Sequence, residues 1–151
     1  MSNYATLVDL LIKNEMKGIK NHERILELGS TPKILQDKSG FADLTLAIKA
    51  STISKICFDH GIPTSMLKRL PDILDNPKSL FLPADTSKVD SIVVVTFEVK
   101  GHEPVIIPIK KNTESGRKRF NMVTSMYGKS GPNPESKWKK DNLLIWEHPT
   151  P

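Results

Sequence analysis

Apolar positions along this chain follow two periods, and the change from one to the other organises it. Near the start, Leu7, Val8, Leu10, Leu11 and Ile12 form one stripe at helical spacing that ends near Gly18, which predicts an amphipathic helix. HERILELG predicts a short strand with Gly29 as its stop. Ser30 or Thr31 then caps a turn of helix whose first position is Pro32. FADLTLAI places Leu44, Leu46 and Ile48 at alternate positions and predicts a second strand. STISKICFDHGIPTSMLKRLPDIL returns to the helical period. Ile53, Ile56, Cys57 and His60 share one face before Gly61 stops the helix. Thr64 or Ser65 caps the next helix, which carries Met66, Leu67 and Leu70 and ends at Pro71, and LPDILDNP adds one more turn.

From Ser91 onward the period becomes two. SIVVVTFEV is a β-branched run that predicts a central strand, GHEP a turn, VIIPIK a second strand, KNTESGRK a polar loop and RFNMVTSMY a third strand. A loop over SGPNP, a short helix over ESKWKKDNL and an edge strand over LLIWE complete the chain. The expected fold is α+β, with N-terminal helices packed on a twisted antiparallel β-meander. Residues 1–20 form a helix or linker ahead of a domain over 21–151.

FNMVTSMYGK carries the most unusual pattern. In an extended strand one face would hold Phe120, Met122, Thr124 and Met126, and the other Asn121, Val123, Ser125 and Tyr127, followed by Gly128 and Lys129. Taken alone, this reads first as a half-exposed antiparallel strand with its polar face in water. It also describes a row of hydrogen-bonding groups held on a rigid element.

Composition narrows the chemistry. With 38% hydrophobic and 26% charged residues over 151 positions, the chain can bury a core and is not of disordered type. A formal charge of +5 favours a polyanionic partner, but only weakly. The single cysteine, Cys57, excludes an intrachain disulfide and argues against a thiolate zinc site, and its apolar neighbours read as those of a buried residue. No apolar run approaches the roughly 20 residues of a membrane span, and the N-terminus lacks a secretory pattern, so the expected location is cytoplasmic. The sequence has no HExxH, no glycine-rich phosphate loop and no GxSxG turn.

What remains is a set needing no metal or cofactor: His60, the basic residues Lys110, Arg117, Lys118, Arg119 and Lys129, and the polar Asn121, Ser125 and Tyr127. Such groups suit phosphodiester transfer by RNA's own 2′-hydroxyl. That reaction needs a base for the 2′ proton, donors for the phosphorane oxygens and a proton for the leaving 5′-oxygen. RKRF alone reads first as a solvated hairpin arm.

The ordered series LGSTPKIL, DHGIPTSMLKRLPDILDNPKSLF, SIVVVTF, VIIPIKK and FNMVTSMYGK resembles the toxin domains at the C-termini of MuF-type phage head proteins. Those domains are grouped with the Barnase–EndoU–colicin–RelE superfamily of metal-independent ribonucleases. The resemblance spans roughly Glu23 to Trp146 and lies in the order of HGIP, LP, DNP and NxxxSxYGK, not in any one motif. It implies an active site on an open sheet face, with His60, Lys110, Ser125 and Tyr127 as catalytic residues and Asn121 beside them. The basic residues Arg117, Lys118, Arg119 and Lys129 would hold substrate. The chain departs from EndoU-type sites in offering no second catalytic histidine. The implied function is an endoribonuclease toxin acting on RNA, transfer RNA among the candidates, with a cognate antitoxin or immunity protein and no membrane partner. Two rival readings are an RNA-binding module that does not cut and a phage structural or packaging-associated protein.

Overall fold

A computed structural model describes residues 3–19 and 22–149; the expected boundary between residues 20 and 21 lies outside them. The fold is α+β. Helix α1 (Tyr4–Met16) leads, followed by β1 (Ile25–Ser30), α2 (Lys33–Ser39) and β2 (Thr45–Lys49). Next come α3 (Ala50–Ser54), α4 (Thr64–Lys68) and α5 (Leu70–Asp75). The second half holds β3 (Ser79–Phe81), β4 (Ser91–Lys100), β5 (Glu103–Ser115), β6 (Lys118–Val123), β7 (Tyr127–Gly128), α6 (Pro134–Lys140) and β8 (Leu144–Glu147).

The predicted meander is present as β4–β5–β6, but it sits within an eight-stranded sheet of order β1-β2-β6-β5-β4-β3-β8, with β7 paired to β5. The sheet is mixed, not purely antiparallel: β2 runs parallel to β6, with Leu46 opposite Asn121 and Ile48 opposite Val123. The continuous apolar run of β4 is explained by burial on both faces. Ile92 and Val94 face the helices, while Val93 and Val95 join Phe81, Ile106 and Trp138 of α6 on the other side. Helix α1 adds Tyr4 and Val8 to the helical core, and the Tyr4 hydroxyl donates to the Leu67 carbonyl at 2.9 Å. The polar stretch expected as a loop after VIIPIK instead continues β5 to Ser115 and pairs with β6.

The expected unbroken strand over FNMVTSMY is interrupted. Ile109 faces Val123 across β5 and β6, yet Ile106 faces Tyr127 across β5 and β7, so one side has an extra residue. This is a bulge at Thr124–Met126. Pro108 explains its place. The Pro108 carbonyl accepts from both the Thr124 N–H and its hydroxyl, but proline has no N–H to return, so the ladder cannot continue.

Before the bulge the two faces alternate as the sequence reads, but both are buried. Val123 points into the helical core, whereas Phe120 and Met122 form a small cluster with Ala47 and Ile25 on the opposite side. Beyond the bulge, Met126 enters the helical core and Tyr127 turns to the open face beside Ile106.

Candidate active site

The site begins with the end of α3. Its helix continues as a π-helical turn over Lys55–Asp59, closed by the His60 N–H to the Lys55 carbonyl at 2.9 Å. A turn of this kind inserts one residue into a helix and re-aims the side chains beyond it. Gly61 then adopts φ +65° and Pro63 comes two positions later, which ends the segment where the sequence predicts. His60 is thereby left projecting toward the edge of β7.

There its Nδ1 lies 3.1 Å from the Met126 carbonyl oxygen, and its ring meets Tyr127 edge-on with centroids 5.6 Å apart. A carbonyl only accepts, so Nδ1 carries a hydrogen, and in the neutral ring the lone pair is on Nε2. Burial pushes the Tyr127 phenol above its ordinary value, which keeps it a hydrogen-bond donor at neutral pH. His60, Tyr127 and Ser125 together line an open depression of about 350 Å³, with Asp59, Lys100 and Gly128 completing it.

Lys100 was not among the residues singled out from sequence. Two glycines make room for it. A Cβ on Gly128 would stand 3.3 Å from the Lys100 Cβ, and one on Gly61 would stand 3.3 Å from its Nζ. The side chain therefore runs from β7 to the turn after His60. Glu103 also packs on Gly128, where an added Cβ would meet its Oε1 at 2.7 Å. Lys100 and Glu103 bracket the turn of the β4–β5 hairpin and stand opposite each other in register, a place that no sequence pattern connects to His60.

The other expected residues separate into three places. Lys110 stands on the same face as Tyr127, but four positions along β5 from Ile106, about 13 Å at strand spacing. It lines a neighbouring depression with Lys88, Ser91 and Thr124, not the one holding His60. Lys129 lines the groove on the other side of Tyr127.

Arg117, Lys118 and Arg119 lie at the far tip of the β5–β6 hairpin. Ser115, opposite Lys118, is nine positions from Ile106, about 30 Å. Arg119 is engaged there with Glu114 and Asn112, and Lys118 approaches Glu27 at 4.0 Å. The hairpin tip is therefore remote from His60.

Asn121 requires a correction, because it is fully buried on the helical side and cannot form the floor of a cleft. Its amide nitrogen donates to the Thr31 hydroxyl at 2.8 Å and the Ala42 carbonyl at 3.0 Å. Its oxygen accepts the Asn112 N–H at 3.1 Å, satisfying the backbone at a second bulge in β5 where Asn112 has φ +49°. Asn121 is a buried clamp joining β6 to the segment before β2 and to β5.

Cys57 is half-buried against the helical core, and burial raises its thiol above the usual value, although a hydrogen bond with Thr64 acts the other way. Among the described residues, no three His, Cys, Asp or Glu side chains converge to hold a metal ion. Within the same residues no helix is long and apolar enough to cross a membrane.

No curated protein and no solved structure matches this chain. A family model described as the phage MuF-C-terminal domain matches residues 54–149, more than half of the chain and every residue around His60, and the chain accordingly belongs to the phage MuF C-terminal domain family.

Proposed function

We propose that this domain is a metal-independent endoribonuclease toxin of the Barnase–EndoU–colicin–RelE type, cutting RNA by attack of the substrate's own 2′-hydroxyl. The observation that carries the reading is the placement of His60, whose Nδ1 faces the Met126 carbonyl while its ring stands edge-on to Tyr127 in a depression that Lys100 also lines. His60 Nε2 takes the 2′ proton as the 2′-oxygen bonds to phosphorus. Lys100 and the Ser125 hydroxyl stabilise the charge on the non-bridging oxygens. The P–O5′ bond breaks, and the Tyr127 phenol protonates the departing oxygen. An alkoxide is far more basic than a phenolate, so that transfer runs downhill, and the imidazolium and phenolate re-equilibrate through solvent. In this assignment Lys100 stands among the catalytic residues in the place that the family resemblance gives to Lys110.

The product is a 2′,3′-cyclic phosphate and a free 5′-hydroxyl. Such an activity acts in the cytosol on RNA, with transfer RNA among its substrates, and requires a cognate inhibitor in any cell that makes it. The test is His60→Ala against total RNA. Cleavage falls by at least about a hundredfold while the circular dichroism spectrum is unchanged. A folded variant with full activity overturns the assignment.

A further inference from the structure

The depression around His60 does not end at Tyr127. Ser125 and Tyr127 also line a groove of about 590 Å³ on the open face of the sheet, between α6 and the segment after β3. Val93, Ile106, Pro108 and Trp138 lie along it, and Lys88, Lys129 and Lys137 stand at its sides. Lys88, Ser91 and Thr124 carry the same surface on to Lys110. The result is one path with His60 and Lys100 at one end, an apolar bed in the middle and Lys110 at the other end. Asp85 and Asp90 also line this path, and Asp85 is held low by hydrogen bonds from Ser87 and in part by Lys88. None of Lys100, Lys110, Lys129 and Lys137, however, is in an ion pair among the described residues, unlike Lys33, Lys68, Lys78 and Lys139 elsewhere.

From this path we infer that the groove is a binding track for single-stranded RNA, holding the nucleotides on one side of the scissile phosphate. The inference rests on the ribonuclease reading and names its substrate class. An apolar bed between unpaired cations is the arrangement that takes base faces on its floor and phosphates at its rims. A protein partner would also have to satisfy these cations, yet a strand supplies an anion at every nucleotide. Chemistry favours the single strand as well. Attack by the 2′-oxygen requires it to stand in line with the leaving 5′-oxygen, which the stacked A-form duplex does not allow, whereas an unpaired strand can be splayed open.

The test is fluorescence anisotropy with a labelled, fully 2′-O-methylated single strand of about 12 nucleotides, a length within the usual range for such grooves. That probe has no 2′-hydroxyl to attack, so binding is read without cleavage. The single strand binds more tightly than the same sequence in a duplex. Lys110→Ala combined with Lys137→Ala weakens binding on the order of tenfold at low salt and reduces the salt slope by about 0.7 for each lysine. Arg117→Ala, at the distant hairpin tip, changes neither. Equal affinity for the duplex overturns the single-strand assignment. An unchanged affinity in a double variant that melts like wild type overturns the groove as its location, including in favour of a protein occupant. Probe binding that depends on the lysines without cleavage of natural RNA leaves the track standing and defeats the ribonuclease reading alone.

Discussion

The Nδ1 of His60 lies 3.1 Å from the Met126 carbonyl oxygen, joining the π-helical turn after α3 to the bulge between β6 and β7. Both partners occupy irregular backbone: Gly61 and Pro63 end the π-helical turn on one side, and Pro108, without an N–H, interrupts the ladder on the other. In the neutral ring this bond leaves the lone pair on Nε2. His60→Asn can still present an amide donor to Met126 but has no basic nitrogen. Its melting temperature stays within a few degrees of wild type while RNA cleavage is lost, as measured by thermal unfolding and gel assay side by side. Equal loss of stability and activity would instead assign His60 a structural role.

Lys100 and Lys110 are both lysines on the meander, but only Lys100 reaches the depression around His60. Lys100→Ala is expected to lower kcat with little change in KM, because its charge is used as negative charge builds on the phosphate. Lys110→Ala is expected to raise KM with kcat nearly intact. Steady-state kinetics on a short RNA distinguish the two patterns, and their exchange would return the catalytic role to Lys110.

Asn121 and Ser125 differ in what they hold. Asn121→Ala removes a buried amide with three partners and leaves the Asn112 N–H unsatisfied, so it destabilises by about 1–3 kcal/mol or more. Ser125→Ala removes a half-buried hydroxyl at the site and lowers activity with little effect on stability. Urea unfolding of both variants checks this, and a neutral Asn121→Ala would contradict the clamp.

Tyr127 supplies a pH test. Its folded-state phenol is raised by burial above the ordinary 10.0, so the unfolded chain releases this proton first as pH rises. Stability from this group is complete below pH 10.0 and is lost as pH climbs through the raised folded value. Tyr127→Phe therefore unfolds with the same pH profile as wild type at neutral pH and declines less steeply in the alkaline range. Parallel alkaline profiles would show that the phenol is not buried in solution.

The strands of the meander and the helical stop at Gly61 were legible because each arises from local pattern, whereas the grouping of His60 with Ser125 and Tyr127 came from the resemblance to a family and not from spacing. Faces beyond the bulge were not legible. A period-two reading assigns Met122 and Met126 to one side, and the single extra residue opposite Pro108 sends them to opposite sides. Asn121 looked like a cleft residue because a fully bonded buried amide and an exposed one have the same letter. Lys100 was invisible for another reason: its place depends on space left by Gly61 and Gly128, which are brought together only in the fold. The parallel β2–β6 pair likewise joins segments more than seventy positions apart.

The central claim is 2′-hydroxyl attack without a metal. Purified protein incubated with total RNA in excess chelator, with chemical mapping of the cut ends, tests it most directly. The predicted result is undiminished cleavage leaving 2′,3′-cyclic phosphate and 5′-hydroxyl ends. Cleavage that appears only on adding magnesium and leaves 5′-phosphates would contradict it.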